Sequence, residues 1–340
     1  MNGKRWAALG IAALLFFTSI VTSIVTSFKA SSEEEEASWL DSILAEDQQF
    51  GEETIENGTS SKQIVVLDVV GTIIDSGSTS SLFGTEGYNH QSFMKKLEIV
   101  KNDSNVEGII IRVDSPGGGV VESAEIYDKL LEIKKESEKP IYISMGSMAA
   151  SGGYYISAPA DKIFANKATF TGSLGVIMQG YNYEGLAEKI GIETVTIKSG
   201  PYKDIMAGDR EMTEEERVIL QSMIDNSYNE FVRIIAEGRG MTEEQVRTIA
   251  DGRIYDGIQA KEVGLVDEFG YLEDVIAAMK EDYDLQNAKV IRYTDMMGFS
   301  LNTFLSATAQ KVLGDSLDLS TLLQSASQQN SPRLMYLYAE

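Results

Sequence analysis

The stretch SMAASGGYYIS, residues 147–157, carries three serines among small neighbours. A serine hydroxyl is a weak nucleophile until a nearby base takes its proton. Acyl transfer also needs backbone N–H groups aimed at the developing oxyanion. Ser151 fits that chemistry best, with Ala149 and Ala150 before it and Gly152 and Gly153 after it. Ser147 is followed by Met148, and Ser157 falls well inside the next helix pattern. The competing reading makes Ser151 an ordinary small residue where a helix packs closely on a sheet. A second small-residue stretch, DSPGGGV at 114–120, sits after an apolar run and before a helix pattern. Backbone N–H groups beside a helix N-terminus form an anion site, and a second oxyanion donor is its most economical use. Without a Gly-Lys-Ser/Thr ending, nucleotide binding is the weaker reading. A plain turn with glycines at positive φ is the bland one.

The proton acceptor is the open question. The chain has one histidine, His90, and no cysteine. That excludes a cysteine nucleophile, thiolate zinc sites, disulfides and histidine-rich metal sites. His90 lies in the polar stretch EGYNHQSF and reads as a solvated surface residue. A lysine serves as base only when neutral, which takes roughly 4 kcal/mol of differential destabilisation of its ammonium form. TIKSGPYKDIMA offers Lys198 and Lys203 after a strand pattern, and residue chemistry alone does not choose between them.

Stepping outward, the elements that must hold these residues read as α/β. QIVVLDVVGTII (63–74) and VEGIIIRVDS (106–115) are strand patterns. So are KPIYISM (139–145), DKIFAN (161–166), GSLGVIM (172–178) and IETVTIKS (192–199). Between them, VESAEIYDKLLEIKKES puts Ile126, Tyr127, Leu130 and Ile133 on one helical face. Such alternation implies parallel βαβ units with covered faces. Beyond residue 210 the pattern is mainly helical. Thr213 with Glu216, and Thr242 with Gln245, form capping boxes. Leu220, Ile224, Tyr228, Phe231 and Ile235 form an expected buried stripe, with Gly238 as C-cap.

With 29 basic and 52 acidic residues, the net charge of −23 argues against nucleic acid as a partner. At the N-terminus, Lys4 and Arg5 precede an uncharged run over 6–28. As a helix at about 1.5 Å per residue this run spans roughly 34 Å, enough for a bilayer core. It is too long for a signal-peptide core and lacks a good cleavage site. The expectation is a single uncleaved transmembrane anchor over 6–28, a cytoplasmic tip at 1–5 and the remainder outside the cytoplasm. An acidic linker over 29–62, a domain over 63–285 and a C-terminal extension with an apolar tail over 286–340 complete the division.

Taken together, RVDSPGGGVVESAEIY, SMGSMAASGGYYISAPADKIFA, TFTGSLGVI, IKSGPYKDIM and DGRIYDGIQAKEVGLVDEFG resemble the signal peptide peptidase A family. They span about residues 63 to 280, in the family's order, and resemble its short bacterial form. That resemblance implies a Clp-protease/crotonase-like α/β fold and a Ser–Lys dyad. By the family motifs, Ser151 is the nucleophile and Lys203, not Lys198, is the base. Ser173 orients the lysine, and Gly118 and Gly152 supply the oxyanion N–H groups. The resemblance further implies no cofactor or metal, peptide substrates in the form of remnant signal peptides, and a homo-oligomeric ring, proposed to be an octamer, in which serine and lysine come from different subunits.

Three other readings remain beside it. One is a related membrane protease that clips a specific membrane-protein partner. Another is acyl-CoA chemistry on the same fold, disfavoured by the extracytoplasmic expectation. The third is a non-catalytic anchored scaffold ring. Finally, the apolar tail LMYLYAE follows a Ser/Gln-rich stretch. It could pair with a groove edge as a peptide substrate would, or act simply as a packing arm.

Overall fold

The central strand explains most of the architecture. VEGIIIRVDS forms β3 (Val106–Ser115), with Ile109, Ile110 and Ile111 wholly buried. A strand apolar on both faces belongs in the middle of a parallel sheet. The computed structural model describes residues 50–75, 87–295 and 334–338. Its other strands are β1 (Phe50–Glu56), β2 (Gln63–Val70), β4 (Gly117–Gly119), β5 (Ile141–Ala150), β6 (Lys162–Ala165), β7 (Phe170–Gly172), β8 (Ile254–Tyr255), β9 (Glu268–Phe269), β10 (Lys289–Asp295) and β11 (Met335–Leu337). Its helices are α1 (His90–Asn102), α2 (Val120–Glu136), α3 (Gly152–Ser157), α4 (Glu184–Lys189), α5 (Glu214–Arg239), α6 (Glu243–Ile249), α7 (Gly257–Glu262) and α8 (Leu272–Asp282). The anchor expected over 6–28 lies outside the described residues. No helix among the described residues is long and apolar enough to cross a membrane.

The main sheet runs β1-β10-β2-β3-β5-β6-β9, with β7 alongside β5. Pairings from β10 through β9 are parallel, and the short β7–β8 pair is antiparallel. Alternation along β2 sorts the core into two layers. Val65 and Leu67 face Phe93, Leu97 and Ile133 of α1 and α2. Ile64 and Val66 face Val275, Ile276 and Met279 of α8.

Several boundaries differ from the sequence expectation. Both capping boxes form, at Thr213–Glu216 and Thr242–Gln245. The C-cap of α5, however, is Gly240 at φ 64, not Gly238. Gly238 lies inside the helix, where lack of a side chain admits the Ala158 carbonyl: a Cβ there would stand 2.1 Å from its oxygen. In the expected stripe, Phe231 and Ile235 are buried, whereas Leu220, Ile224 and Tyr228 are half-buried. The strand expected over 172–178 is cut short at Gly172, and Ile177 makes only an isolated bridge. The strand expected over 192–199 does not form: its β-branched run finds no partner strand, and Ile197 is 97 % exposed. Conversely, β10, lying beyond residue 285, joins the sheet beside β2.

Candidate active site

Ser151 is the single residue between the end of β5 and the start of α3. Its backbone, at φ 52 and ψ −114, is strained by about 1–3 kcal/mol and persists only because its surroundings over-determine it. Its N–H donates to the Gly172 carbonyl at 2.8 Å, and its own carbonyl accepts from the Tyr155 N–H at 2.9 Å. The residue is 1 % exposed, yet its Oγ has no hydrogen-bond partner among the described residues. The other two serines of the stretch differ. Ser147 is exposed on β5, and Ser157 Oγ donates to the Gly153 carbonyl at 2.6 Å.

The glycine strand β4 closes over this turn. A Cβ on Gly152 would stand 3.0 Å from the Gly118 nitrogen and 2.7 Å from Ser123 Oγ. Gly117, at φ 98, requires glycine for its conformation as well as its space. A Cβ there would stand 2.5 Å from the Gly152 nitrogen. The Gly118 and Gly152 N–H groups therefore crowd one small volume beside Ser151. Ser123, on the first turn of α2, adds a second wholly buried hydroxyl without a partner among the described residues. Sequence reading passed over it; its place three residues after Val120, the first residue of α2, is the only signal it leaves.

The tail enters this volume. β11 pairs antiparallel with β4, Tyr336 opposite Gly118. The Val120 N–H donates to the Leu334 carbonyl at 3.4 Å, and the Tyr338 N–H to the Pro116 carbonyl at 2.9 Å. Because bonded pairs alternate along an antiparallel ladder, Tyr336 and Gly118 form the bonded pair between them. The Tyr336 carbonyl oxygen lies 2.1 Å from where a Cβ on Gly117 would be, close to the Gly152 N–H. On the other side, Met335 exchanges both backbone bonds with Ile177, at 3.0 and 3.1 Å. The Tyr336 ring is wholly buried, stacked on Tyr155 with centroids 4.8 Å apart and 4.7 Å from Phe231. Its hydroxyl donates to the Ser227 carbonyl. A cavity of about 580 Å³, lined by Ser173, Ile177, Asp225 and Tyr228, continues past Leu337.

Ser173 follows the glycine that receives the Ser151 N–H. It too has a positive φ, of 50, and its N–H donates to the Arg253 carbonyl at 2.7 Å. Lys203 lies elsewhere in the chain, exposed on a turn whose backbone closes on Gly200. No hydrogen bond or ion pair joins its ammonium to any described residue. Thus the structure gathers Ser151, Ser173, Gly118 and Gly152, and leaves Lys203 unbonded to either serine.

Lys198 is committed differently. Its Nζ sits 2.6 Å from Asp204 Oδ1 and 3.0 Å from the Pro201 carbonyl. Arg210 grips the same carboxylate at 2.7 and 3.0 Å and reaches Glu216, which is 1 % exposed. These hydrogen bonds hold the Asp204 carboxyl far below the usual carboxylate range. Glu216 is lowered to about 2, first by the Arg210 guanidinium and then by the Thr213 N–H. The four charges fall at 198, 204, 210 and 216, a spacing of six that sequence reading missed.

His90 corrects its sequence reading. It is not solvated: it is 5 % exposed, with Nδ1 2.7 Å from the Tyr88 hydroxyl and Nε2 2.6 Å from Glu125. It makes no bond to Ser151.

Two family models match the chain, Peptidase family S49 over residues 133–286 and Clp protease over residues 68–197. A candidate signal peptide peptidase SppA of Enterococcus faecium is 45 % identical over 306 residues, covering 88 % of this chain and 87 % of that one. The chain belongs to the signal peptide peptidase A family. As a member of that family it is a serine peptidase, with a Clp-protease-like α/β fold. Protease 4 of Haemophilus influenzae is 31 % identical over 84 % of this chain and 48 % of its own length. Among solved structures, a ClpP1 variant of Listeria monocytogenes covers 63 % of this chain and 94 % of its own, at 20 % identity and a TM-score of 0.40. The membrane-bound stomatin-specific protease 1510-N covers 68 % and 98 %, at 16 % identity and a TM-score of 0.46.

Proposed function

We propose that this serine peptidase is a membrane-anchored endopeptidase that degrades the signal peptides left after preproteins are cut. Ser151 is the nucleophile, Lys203 the general base, Ser173 the group that orients the lysine, and Gly118 and Gly152 the oxyanion donors. The observation that carries this reading is the buried Ser151 hydroxyl. It sits on a strained turn beside two backbone donors and has no base beside it among the described residues. Lys203, by contrast, is exposed and unbonded, whereas Lys198 is held by Asp204. A lysine delivered by a neighbouring subunit reconciles the two.

The arm that carries Lys203 supports assembly. Tyr181, Leu186, Ile190, Ile192, Val195 and Ile197, in the segment before Lys203, are all exposed, and apolar side chains left open in this way mark an interface where they gather into a patch. The proposed assembly is a homo-oligomeric ring of eight. In it, neutral Lys203 takes the Ser151 proton as Oγ attacks the peptide carbonyl. The carbonyl oxygen, becoming negative, is held by the Gly118 and Gly152 N–H groups. The lysinium then protonates the departing amine, and water, deprotonated by the same lysine, releases the acyl group. The backbone path of β11 supplies the substrate register. A peptide laid there puts its carbonyl at the Tyr336 position and its preceding side chain in the pocket of Tyr155 and Phe231, which suits large apolar residues. An anchor over 6–28 with the 63–285 domain and the 286–340 extension outside the cytoplasm would present that groove to membrane-held remnants.

Complementation tests the reading. Ser151→Ala and Lys203→Ala should each lose at least about 10³-fold in kcat against a fluorogenic apolar peptide. Mixed and reassembled together, the two should recover a measurable fraction, because some interfaces join an intact serine to an intact lysine. Two inert variants that stay inert on mixing, in rings shown to be heteromeric, would overturn the shared site.

A further inference from the structure

We propose that Arg210, seated between Asp204 and Glu216, is a positioning residue for Lys203: it fastens the lysine turn to the first turn of α5 and balances the acidic neighbour of the base. The inference rests on the reading of Lys203 as the general base.

The geometry is that of a chain of alternating charges. Lys198 binds Asp204, Asp204 binds Arg210, and Arg210 binds Glu216. Each link closes a loop of the same length, so the backbone from 198 to 216 is cinched at regular intervals. Arg210 is the piece that spans two elements. Its Nε and one terminal nitrogen fork onto the Asp204 carboxylate, and that nitrogen also reaches the Asp204 carbonyl at 3.1 Å. Its other terminal nitrogen lies 2.9 Å from Glu216 Oε2 and 2.9 Å from the Glu211 carbonyl. Glu216 is itself fixed, since the same Oε2 accepts the Thr213 N–H of the capping box at 2.9 Å. Position therefore passes from the N-terminus of the long helix α5, through one planar guanidinium, to the residue next to Lys203. A second bond ties the root of the arm, from the Tyr183 N–H to the Gly208 carbonyl at 2.7 Å. Without these ties the exposed turn has little to hold it.

Charge gives the clamp a second role. An unbalanced negative charge beside a general base favours the protonated form, which cannot accept a proton. Two cations, Lys198 and Arg210, balance two anions, Asp204 and Glu216. Removing Arg210 leaves the group one unit negative beside the base. Tyr202, Asp209 and Glu211 also flank the turn and stay constant across the variants below.

The test compares the full-length oligomer with Arg210→Gln, Arg210→Lys and Arg210→Gln combined with Asp204→Asn, with Lys203→Ala alongside. Arg210→Gln should lose about 10²-fold in kcat, with KM within about threefold of wild type. Its alkaline rise in kcat/KM should move to higher pH. Arg210→Lys should return the rise to its wild-type position, with kcat only partly recovered, because an ammonium cannot fork onto two carboxylates. The double variant should likewise restore the position of the rise while kcat stays low. KM and the pH of the rise do not depend on how much protein is folded, so poor assembly cannot imitate this pattern. An Arg210→Gln enzyme with a wild-type pH profile, whose loss merely follows the number of assembled sites, overturns the inference. If that occurs while Lys203→Ala is inert, only the clamp fails. If Lys203→Ala keeps its activity, the base reading fails with it.

Discussion

At Ser151 and its glycine neighbours, local chemistry outweighed every longer-range pattern. Small residues on both sides of one serine mark a place where a chain must turn sharply and let another backbone approach. The structure has that turn, at φ 52, with Gly152 packed against Gly118 and Ser123. Gly152→Ala should therefore lower kcat by about 10² to 10³-fold with little change in KM, since a Cβ there pushes apart the two proposed oxyanion donors. Unaltered turnover of a peptide ester would show that the Gly152 N–H is not used. Other residues were not legible. Ser123 sits in an ordinary helical pattern, and nothing in its neighbours says that its hydroxyl will be buried alone. His90 was misjudged because a polar sequence context does not reveal that α2 will bring Glu125 against it. Residue chemistry alone does not separate Lys198 from Lys203; the family motif picks Lys203, and the fold commits Lys198 to Asp204.

Elements were legible wherever their own ends carried the signal. The capping boxes of α5 and α6 are local contracts between residues three apart, and both form as read. The box of α5 also predicts a pH response. Arg210 and the Thr213 N–H stabilise ionised Glu216, lowering it from 4.5 to about 2. That stabilisation is complete above about pH 4.5, where the unfolded carboxyl is also ionised, and is lost as pH falls toward 2. The melting-temperature gap between wild type and Glu216→Gln should be widest near neutrality and close as pH approaches 2. A gap independent of pH would remove the ion pair from the account. Strands were harder to read. The run at 192–199 has the composition of a strand, but β-propensity expresses itself only against a neighbouring strand, and the described residues provide none.

For the whole molecule, alternation announced a parallel α/β sheet but not its strand order, nor the entry of β10 from beyond the expected domain end. Order depends on contacts between residues far apart in sequence, and a single chain carries little local trace of them. The tail was legible as a possibility because LMYLYAE has the makeup of a peptide ligand; its register on Gly117–Gly119 came only from the fold. That register predicts competition. Deleting residues 331–340 should raise kcat/KM for short peptides severalfold, through KM, by clearing the groove that Tyr336 fills. Equal constants for the full and shortened chains would assign β11 a purely structural role.

Among the described residues the Ser151 hydroxyl has no partner. On the proposed reading, a lone subunit is latent by construction. If exported as proposed, a new chain would meet many other polypeptides before a second copy of itself, and in that interval it would not cut them. Proteolytic capacity would switch on with local abundance, steeply, as subunits find one another, and would fade again on dilution. The timing of activity is thus written into where two side chains were placed along one chain.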